Sequence, residues 1–436
     1  MSLRINLLIL LLIFININSF SIDSSKRFIL DNNGRYSIFH GANVVVKLPP
    51  YLPNLDKFDY LWSLNTEQDL LTMKRLGFNN IRLGVIWESV ETSPGIYNEE
   101  YLNKIEKIIN KLGENGIYTI VDAHQDVFSR NFCGEGVPYF YVNDMGYEKE
   151  CNANLLTKIL DLVGVCKTLD DFNFNYDEKG LPLIEDCKKY NFVEYHYLIE
   201  FSSIYQNFYS NKLNIQEKFV EFWKFVVNKL KGNKYILGYD LWNEPFPGAL
   251  LENLKNLIPS YSDQNQVLPI YKKVDEELRK IDPNYILFFE NTPFPDTIPL
   301  FGGLTWGGMK EKPADDDKNQ VYNFHAYCCL AGADACQHGE APMKNAINIC
   351  PKFHNKLFNN VIKVADNLNI PRFLTEFGAC SDSLACYNEL INVVTICEKN
   401  FISWSYWNYK PYDDHTTSAI ELVEYEGIYN SDGTVQ

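Results

Sequence analysis

The sequence predicts an α/β fold, an eight-stranded (β/α)8 barrel of the TIM type, on three observations. Short apolar runs alternate with amphipathic helical stretches from Tyr36 onward, the order expected when parallel strands are joined by helices. Eight such runs follow one another, enough to close a barrel. No Gly-rich phosphate loop follows the first run, so an open doubly wound sheet has little to support it. A length of 436 residues is compatible with one unit, because such barrels commonly reach about 250 residues or more as a single domain.

The chain opens with Arg4-Ile5-Asn6, continues with an apolar run from Leu7 to Ile15, and turns small or polar from Asn16 to Ser25. This reads as a secretory signal peptide over residues 1–22, with one barrel domain over residues 23–436. The apolar run is shorter than the roughly 20 residues a membrane-spanning helix needs. Phe39 to Val45 is strand one. Glu67 to Leu76 is helical with Gly77 as its C-cap, and Asn80 to Val85 is strand two. Tyr101, Leu102, Ile105, Ile108, Ile109 and Leu112 recur at spacings that mark one helix face, before Gly116 to Asp122 as strand three. Between about Ser129 and Leu213 the alternation stops, and Gly, Asp, Asn, Cys and aromatic residues dominate. A long, ordered, disulfide-containing insertion is therefore expected after strand three. The alternation resumes with a helix from Gln216 to Leu230 and strand four, Tyr235 to Trp242. Ile270, Val274, Leu278 and Ile281 mark the next helix, Tyr285 to Glu290 strand five, and Val321 to His325 strand six. A helix through Leu357, Val361, Val364 and Leu368 precedes strand seven, Arg372 to Thr375; one from Leu390 to Cys397 precedes strand eight, Phe401 to Trp407.

All eleven cysteines lie beyond the leader, at 133, 151, 166, 187, 328, 329, 336, 350, 380, 386 and 397. In a secreted chain disulfides are the default, and an odd number leaves at least one thiol unpaired. Around Cys328, Cys329, Cys336 and Cys350 no two-residue Cys spacing recurs, and His338 lacks zinc-finger spacing, so no metal or other cofactor is expected. No Asn-x-Ser/Thr triplet occurs, so ordinary N-glycosylation is not expected. The formal charge of −16 disfavours nucleic acid and anionic membrane as partners through bulk electrostatics. It suits a soluble protein of acidic compartments; a monomer, secreted or in the endolysosomal lumen, is expected.

In a barrel of this kind the C-terminal strand ends line one face and carry the site. The polar residues there are Arg82, His124, Asn243, Glu244, His325, Tyr327, Glu376 and Trp407. Glu244 closes Tyr239-Asp240-Leu241-Trp242-Asn243-Glu244-Pro245, and Glu376 sits in Phe373-Leu374-Thr375-Glu376-Phe377-Gly378. Two carboxyl groups on one face are what glycosidic hydrolysis demands: one protonates the leaving oxygen while the other attacks or stabilises the oxocarbenium-like carbon.

On Asn243-Glu244-Pro245 and Glu376 the chain resembles the clan-A retaining glycosidases of glycoside hydrolase family 5. The resemblance implies Glu244 as acid/base and Glu376 as nucleophile, with Arg82 keeping Glu376 ionised and Tyr327 donating to it. It further implies Asn243 on the sugar 2-hydroxyl, His124 and His325 on hydroxyls or neighbouring carboxylates, and Trp407 as a flat face for a pyranose ring. Double displacement would need the carboxyl groups about 5 Å apart, and a raised pKa on the acid/base from burial and the Glu376 charge. The runs Gly41 to Tyr51, Val121 to Arg130 and Cys133 to Pro138 are similar to those of the endoglycoceramidase branch. That likeness implies a glycosphingolipid substrate cut between glycan and ceramide, with Lys47, Asp122 and Gln125 against the glycan and transient contact with a membrane or micelle surface. A β-glucosidase or endoglucanase acting on β-glucans, glucosylceramide or steryl glucosides is the neighbouring possibility, and an inactive glycan- or glycolipid-binding protein the one of another class. Branch members usually continue into a C-terminal β-sandwich, which is expected to be absent here.

Overall fold

The computed structural model describes residues 20–23, 25–151, 166–250, 253–293, 307–316, 318–328, 346–379, 384–416, 427–430 and 433–435. The apolar run of the expected leader lies outside them, but Phe20–Ile22, placed with the leader on sequence grounds, form strand β1. β1 pairs antiparallel with β2 (Ile29–Asp31), and β2 with β3 (Tyr36–Ser37). The barrel then begins with β4 (His40–Val44) and β5 (Asn80–Val85). A short hairpin of β6 (Glu91–Ser93) and β7 (Ile96–Tyr97) intervenes before β8 (Tyr118–Ala123) and β9 (Ile236–Asp240). The circuit continues with β10 (Leu287–Phe289), β11 (Gln320–His325), β12 (Arg372–Gly378) and β13 (Ser403–Trp407). All eight barrel strands run parallel, and β13 closes on β4 with Trp404 opposite His40. The (β/α)8 barrel is therefore the architecture.

Strand alternation sorts the interior by height. Ile120, Phe288, Val321 and Phe373 join Phe39, Ile29 and Phe20 in one apolar floor cluster. Two residues further along stand Asp122, Asn323 and Thr375 on the same strands and Glu290 just past the end of β10. A step of two keeps a side chain on the same face of a strand, so each strand carries an apolar foot and a polar head. Phe20 plugs the floor from below, its ring 5.4 Å from Phe39 and 4.6 Å from Tyr118, both edge-on.

The helices form where the periodicity placed them. Thr66 and Asp69 make a capping box at the start of Glu67–Arg75, satisfying backbone N–H groups that a helix end leaves free. Glu99–Glu114 buries Leu102, Ile105, Ile108, Ile109 and Leu112, and Ile215–Leu230 buries Phe219, Phe222, Trp223, Val226 and Val227. Among the described residues the insertion is cross-linked by Cys133–Cys187 and Cys151–Cys166. It also holds a helix, Ile199–Tyr209, where no periodic run marks one in the sequence. That helix buries Glu200, Ser202 and Ser203 along with its apolar residues, and a helix covered nearly all round shows no amphipathic period.

A third disulfide, Cys328–Cys350, lies outside the insertion, and Cys397 is a buried free thiol. Cys329, Cys336, His338 and Cys380 lie outside the described residues. Past β13 the buried Lys410 ammonium donates to Asp69, Ser63 and the Asp59 carbonyl, tying the last loop to the start of the first helix. Among the described residues after Trp407 there is an isolated bridge, Tyr429 to Val435, and no sandwich. No helix among the described residues is long and apolar enough to cross a membrane.

Candidate active site

The centre of the site is Arg82, in the middle of β5 and fully buried. Its Nε pairs with Asp240 at 2.9 Å, Nη2 with Asp122 at 3.0 Å and Nη1 with Glu376 at 2.6 Å. Nη2 also donates to Asn243 Oδ1 at 2.9 Å, and Nη1 to Asn43 Oδ1 at 3.2 Å. A planar guanidinium offers five donors in fixed directions, so one side chain sets the orientation of three carboxylates and two amides. The surrounding carboxylates hold its proton more firmly than burial weakens it.

Glu376 lies in β12, next to Thr375, whose hydroxyl accepts a hydrogen bond from buried Asn323. Two successive residues cannot both face a barrel interior in a regular strand. The register of β12 shifts against both β11 and β13 here, and this irregularity turns Glu376 inward. Strand seven therefore runs on to Gly378, beyond the Thr375 limit expected from sequence. Glu376 Oε2 accepts from the Tyr327 hydroxyl at 3.0 Å, while Oε1 takes the Arg82 bond. Burial raises its pKa above the usual carboxylate value, with His325 and Arg82 opposing.

Glu244 follows β9 and has a positive φ of 39°, a sparsely populated conformation for a residue with a Cβ. Its Oε1 lies 2.7 Å from His325 Nδ1, and its main-chain N–H donates to Glu290 Oε1 at 2.8 Å. Gln125 holds the same turn: its amide donates to the carbonyls of Asn243 and Glu244 and accepts from Phe128 N–H. Burial pushes the Glu244 carboxyl up to about 7, with the Asp126 charge adding to it and His196, His124 and Lys47 opposing. Asp126 is thus an acidic neighbour that raises Glu244, and the Glu244 charge in turn raises Glu376. An oxygen of Glu244, an oxygen of Glu376 and a ring nitrogen of His325 all lie within 4.8 Å of one another.

A second group lines the opposite wall. Lys47, three residues beyond β4 and buried, sits 2.6 Å from Asp126 and 2.9 Å from Asp414, and 4.7 Å from the centre of the Trp407 ring. Trp407 stacks on His124 at 5.5 Å and 17°. His124 bonds Asp122 at 2.7 Å and approaches Asp126 at 3.3 Å. Burial alone would lower its pKa, but these carboxylates carry it to about 9. For His325 burial outweighs the opposing Glu376 charge and takes the imidazole down to about 4, so it is neutral at ordinary pH.

The structure thus brings Lys47, Arg82, Asp122, His124, Gln125, Asn243, Glu244, His325, Tyr327, Glu376 and Trp407 to one end of the barrel. It corrects the roles of two. Asp122 is fully buried between Arg82 and His124, and the Gln125 amide is occupied by the backbone, so neither can reach the glycan. Both orient residues that can. Asn243 is similarly engaged, accepting from Arg82 and donating to the Gln125 carbonyl. Sequence reasoning missed Asp126 and Glu290 as site residues. The signal for Glu290 was available: Leu287-Phe288-Phe289-Glu290 closes an apolar run with an acid, as the segments of Glu244 and Glu376 do.

A model of the family described as Cellulase (glycosyl hydrolase family 5) matches residues 40–413. An endoglycoceramidase of Cyanea nozakii is 29% identical over 407 residues, covering 90% of this chain and 69% of its own length. One of Hydra vulgaris is 29% identical over 400 residues, covering 90% of this chain and 67% of its own. The solved structure of endo-glycoceramidase II from Rhodococcus sp. in its ganglioside GM3 complex shares the fold, with a TM-score of 0.65 at 20% identity. That match covers 94% of this chain and 79% of the other.

Proposed function

The chain belongs to glycosyl hydrolase family 5 and is a glycoside hydrolase, and within that family we propose that it is a retaining enzyme cutting glycosphingolipids between glycan and ceramide. One observation carries the mechanism: carboxylate oxygens of Glu244 and Glu376 within 4.8 Å. Retaining enzymes hold their carboxyl groups about 5–5.5 Å apart, whereas inverting ones need about 6.5–9.5 Å to seat a water.

The steps then follow from the partners of each group. Glu376, ionised beside Arg82 and Tyr327, attacks the anomeric carbon while Glu244 gives its proton to the departing glycosidic oxygen. This leaves a glycosyl ester on Glu376 and a carboxylate on Glu244. Glu244 then takes a proton from water, whose oxygen attacks the same carbon and releases Glu376. Trp407, backed by Lys47 and His124, offers the sugar a flat apolar face rimmed by fixed donors.

The substrate reading is supported by two relatives named endoglycoceramidase that align with 90% of this chain. The turn after Glu244 is backed by the insertion: buried Phe246 lies 4.5 Å from Phe201 and 5.8 Å from Tyr205. A secreted or endolysosomal location fits the leader-like start and three disulfides. The test is hydrolysis of a fluorescent ganglioside beside cellulose oligomers. Release of an intact oligosaccharide and free ceramide supports the reading; stepwise glucose release, or cleavage of the cellulose oligomers alone, sinks it. Turnover by Glu376→Ala equal to that of the wild type would remove the catalytic assignment altogether.

A further inference from the structure

Five carboxyl groups crowd the centre of this barrel: Asp122, Asp240, Glu244, Glu290 and Glu376. Four have an evident task, three of them on Arg82 and one at the reacting centre. Glu290 has none in the double displacement. It follows β10, one residue beyond Phe289, and is 2% exposed. Such a buried acid is costly unless its polar atoms are used.

Both oxygens point at the acid/base apparatus. Oε1 accepts the Glu244 main-chain N–H at 2.8 Å, at the residue whose φ is 39°. Oε2 lies 3.8 Å from His325 Nε2, which makes no hydrogen bond among the described residues. The other nitrogen of that ring is the one 2.7 Å from Glu244 Oε1. Glu290 therefore reaches Glu244 by two routes, through its backbone and through the imidazole.

We propose that Glu290 is a positioning residue for Glu244, fixing its strained main chain and selecting the His325 tautomer that faces its carboxylate. The role rests on the reading of Glu244 as acid/base. The groups facing Glu290 are Asp240, Glu244, Arg82, His325 and Tyr271; with two carboxylates against one already committed cation, burial and charge keep it protonated. A protonated Glu290 supplies a donor to Nε2, leaving the ring proton on Nδ1, where it points at Glu244. Closing 3.8 Å to a hydrogen bond of about 2.8 Å asks for roughly a 1 Å shift, of the kind that tightens catalytic contacts when substrate binds.

Two variants, Glu290→Leu and Glu290→Met, remove both links, and Glu290→Gln keeps an acceptor for Glu244 N–H and a donor for His325. Each is compared with the wild type by kcat/KM over about pH 4 to 9, on a fluorescent ganglioside and on 2,4-dinitrophenyl β-lactoside, alongside its melting temperature. The aryl group departs without a proton, so its kcat/KM does not depend on the acid. Whichever of Leu and Met folds lowers kcat/KM on the ganglioside about 30-fold and moves its alkaline limb upward, because the Glu244 carboxylate loses its imidazole donor. It costs less than about threefold on the aryl lactoside, and Glu290→Gln recovers most of the ganglioside loss. Equal losses on both substrates, an unmoved limb, or losses in all variants that track melting temperature would overturn the role. Glu244→Gln, run in parallel, separates the two assignments. If it still hydrolyses ganglioside the acid/base reading fails, whereas if it does not and the Glu290 variants match wild type, only the role of Glu290 fails.

Discussion

Glu244 and Glu376 need opposite protonation states at the moment of attack, and their surroundings set the window in which both hold. Glu244 acts with its proton on, so activity falls as pH rises through its value of about 7. Glu376 acts ionised, so activity falls as pH drops through a value that burial has raised above the usual carboxylate range. The kcat/KM for a glycolipid is therefore bell-shaped, with its optimum on the acid side of neutrality. A profile still rising beyond pH 8, about one unit above the Glu244 value, would contradict the assignment. This much of the site was legible in the sequence, because Asn243-Glu244-Pro245 and the Glu376 segment carry their chemistry in residue type. Which polar residues touch substrate was not. Asp122 sits at a strand end like the others, and only closure of the barrel puts Arg82 and His124 against it and takes it out of reach. The Asp126 charge acting on Glu244 was equally hidden, since it comes from a different strand end.

Elements were legible where burial is one-sided and hidden where it is not. The helix Glu99–Glu114 shows its face at spacings of three and four, whereas Ile199–Tyr209 is covered on most sides and shows none. The register shift that aims Glu376 left no mark either, because a bulge is defined by the neighbouring strands. Cys133–Cys187 closes a loop of 54 residues around the insertion, and opening it by a paired Cys→Ser change costs about 4 kcal/mol by loop entropy. Thermal unfolding of the double variant shows that loss, with ganglioside hydrolysis falling alongside because Phe201 and Tyr205 stand on the tethered segment. An unchanged melting temperature would mean the insertion holds its shape without the bond. At the other end of the barrel, Phe20→Ala leaves the floor open and costs about 3 kcal/mol, and a protein starting at Asp23 behaves the same way. A protein starting at Asp23 that melts with the full chain would show that β1 adds nothing.

At the scale of the whole molecule, buried titrating groups give the fold a preferred pH. Burial pushes Glu200 up to about 7 and Asp263 up to about 6. Each then binds its proton more tightly folded than unfolded, so its contribution is complete below about pH 4 and is lost as pH rises through those values. His124, carried to about 9 despite burial, contributes fully below about 6.5 and loses that as pH rises through 9. His325 and His415, lowered by burial to about 4, act in the opposite sense, but only between about 4 and 6.5. Above that point only losses remain, so the melting temperature falls from pH 6 to pH 9, and a calorimetric scan that finds it level or rising would refute this balance. The barrel closure has a kinetic counterpart. The first and last barrel strands meet through Phe39 and Ser403, 364 residues apart. At about 5–20 residues per second a ribosome spends roughly 20–70 s between them. Throughout that time the nascent chain carries β4 with one edge unpaired, so the molecule is most exposed to association with its own kind before its synthesis is finished.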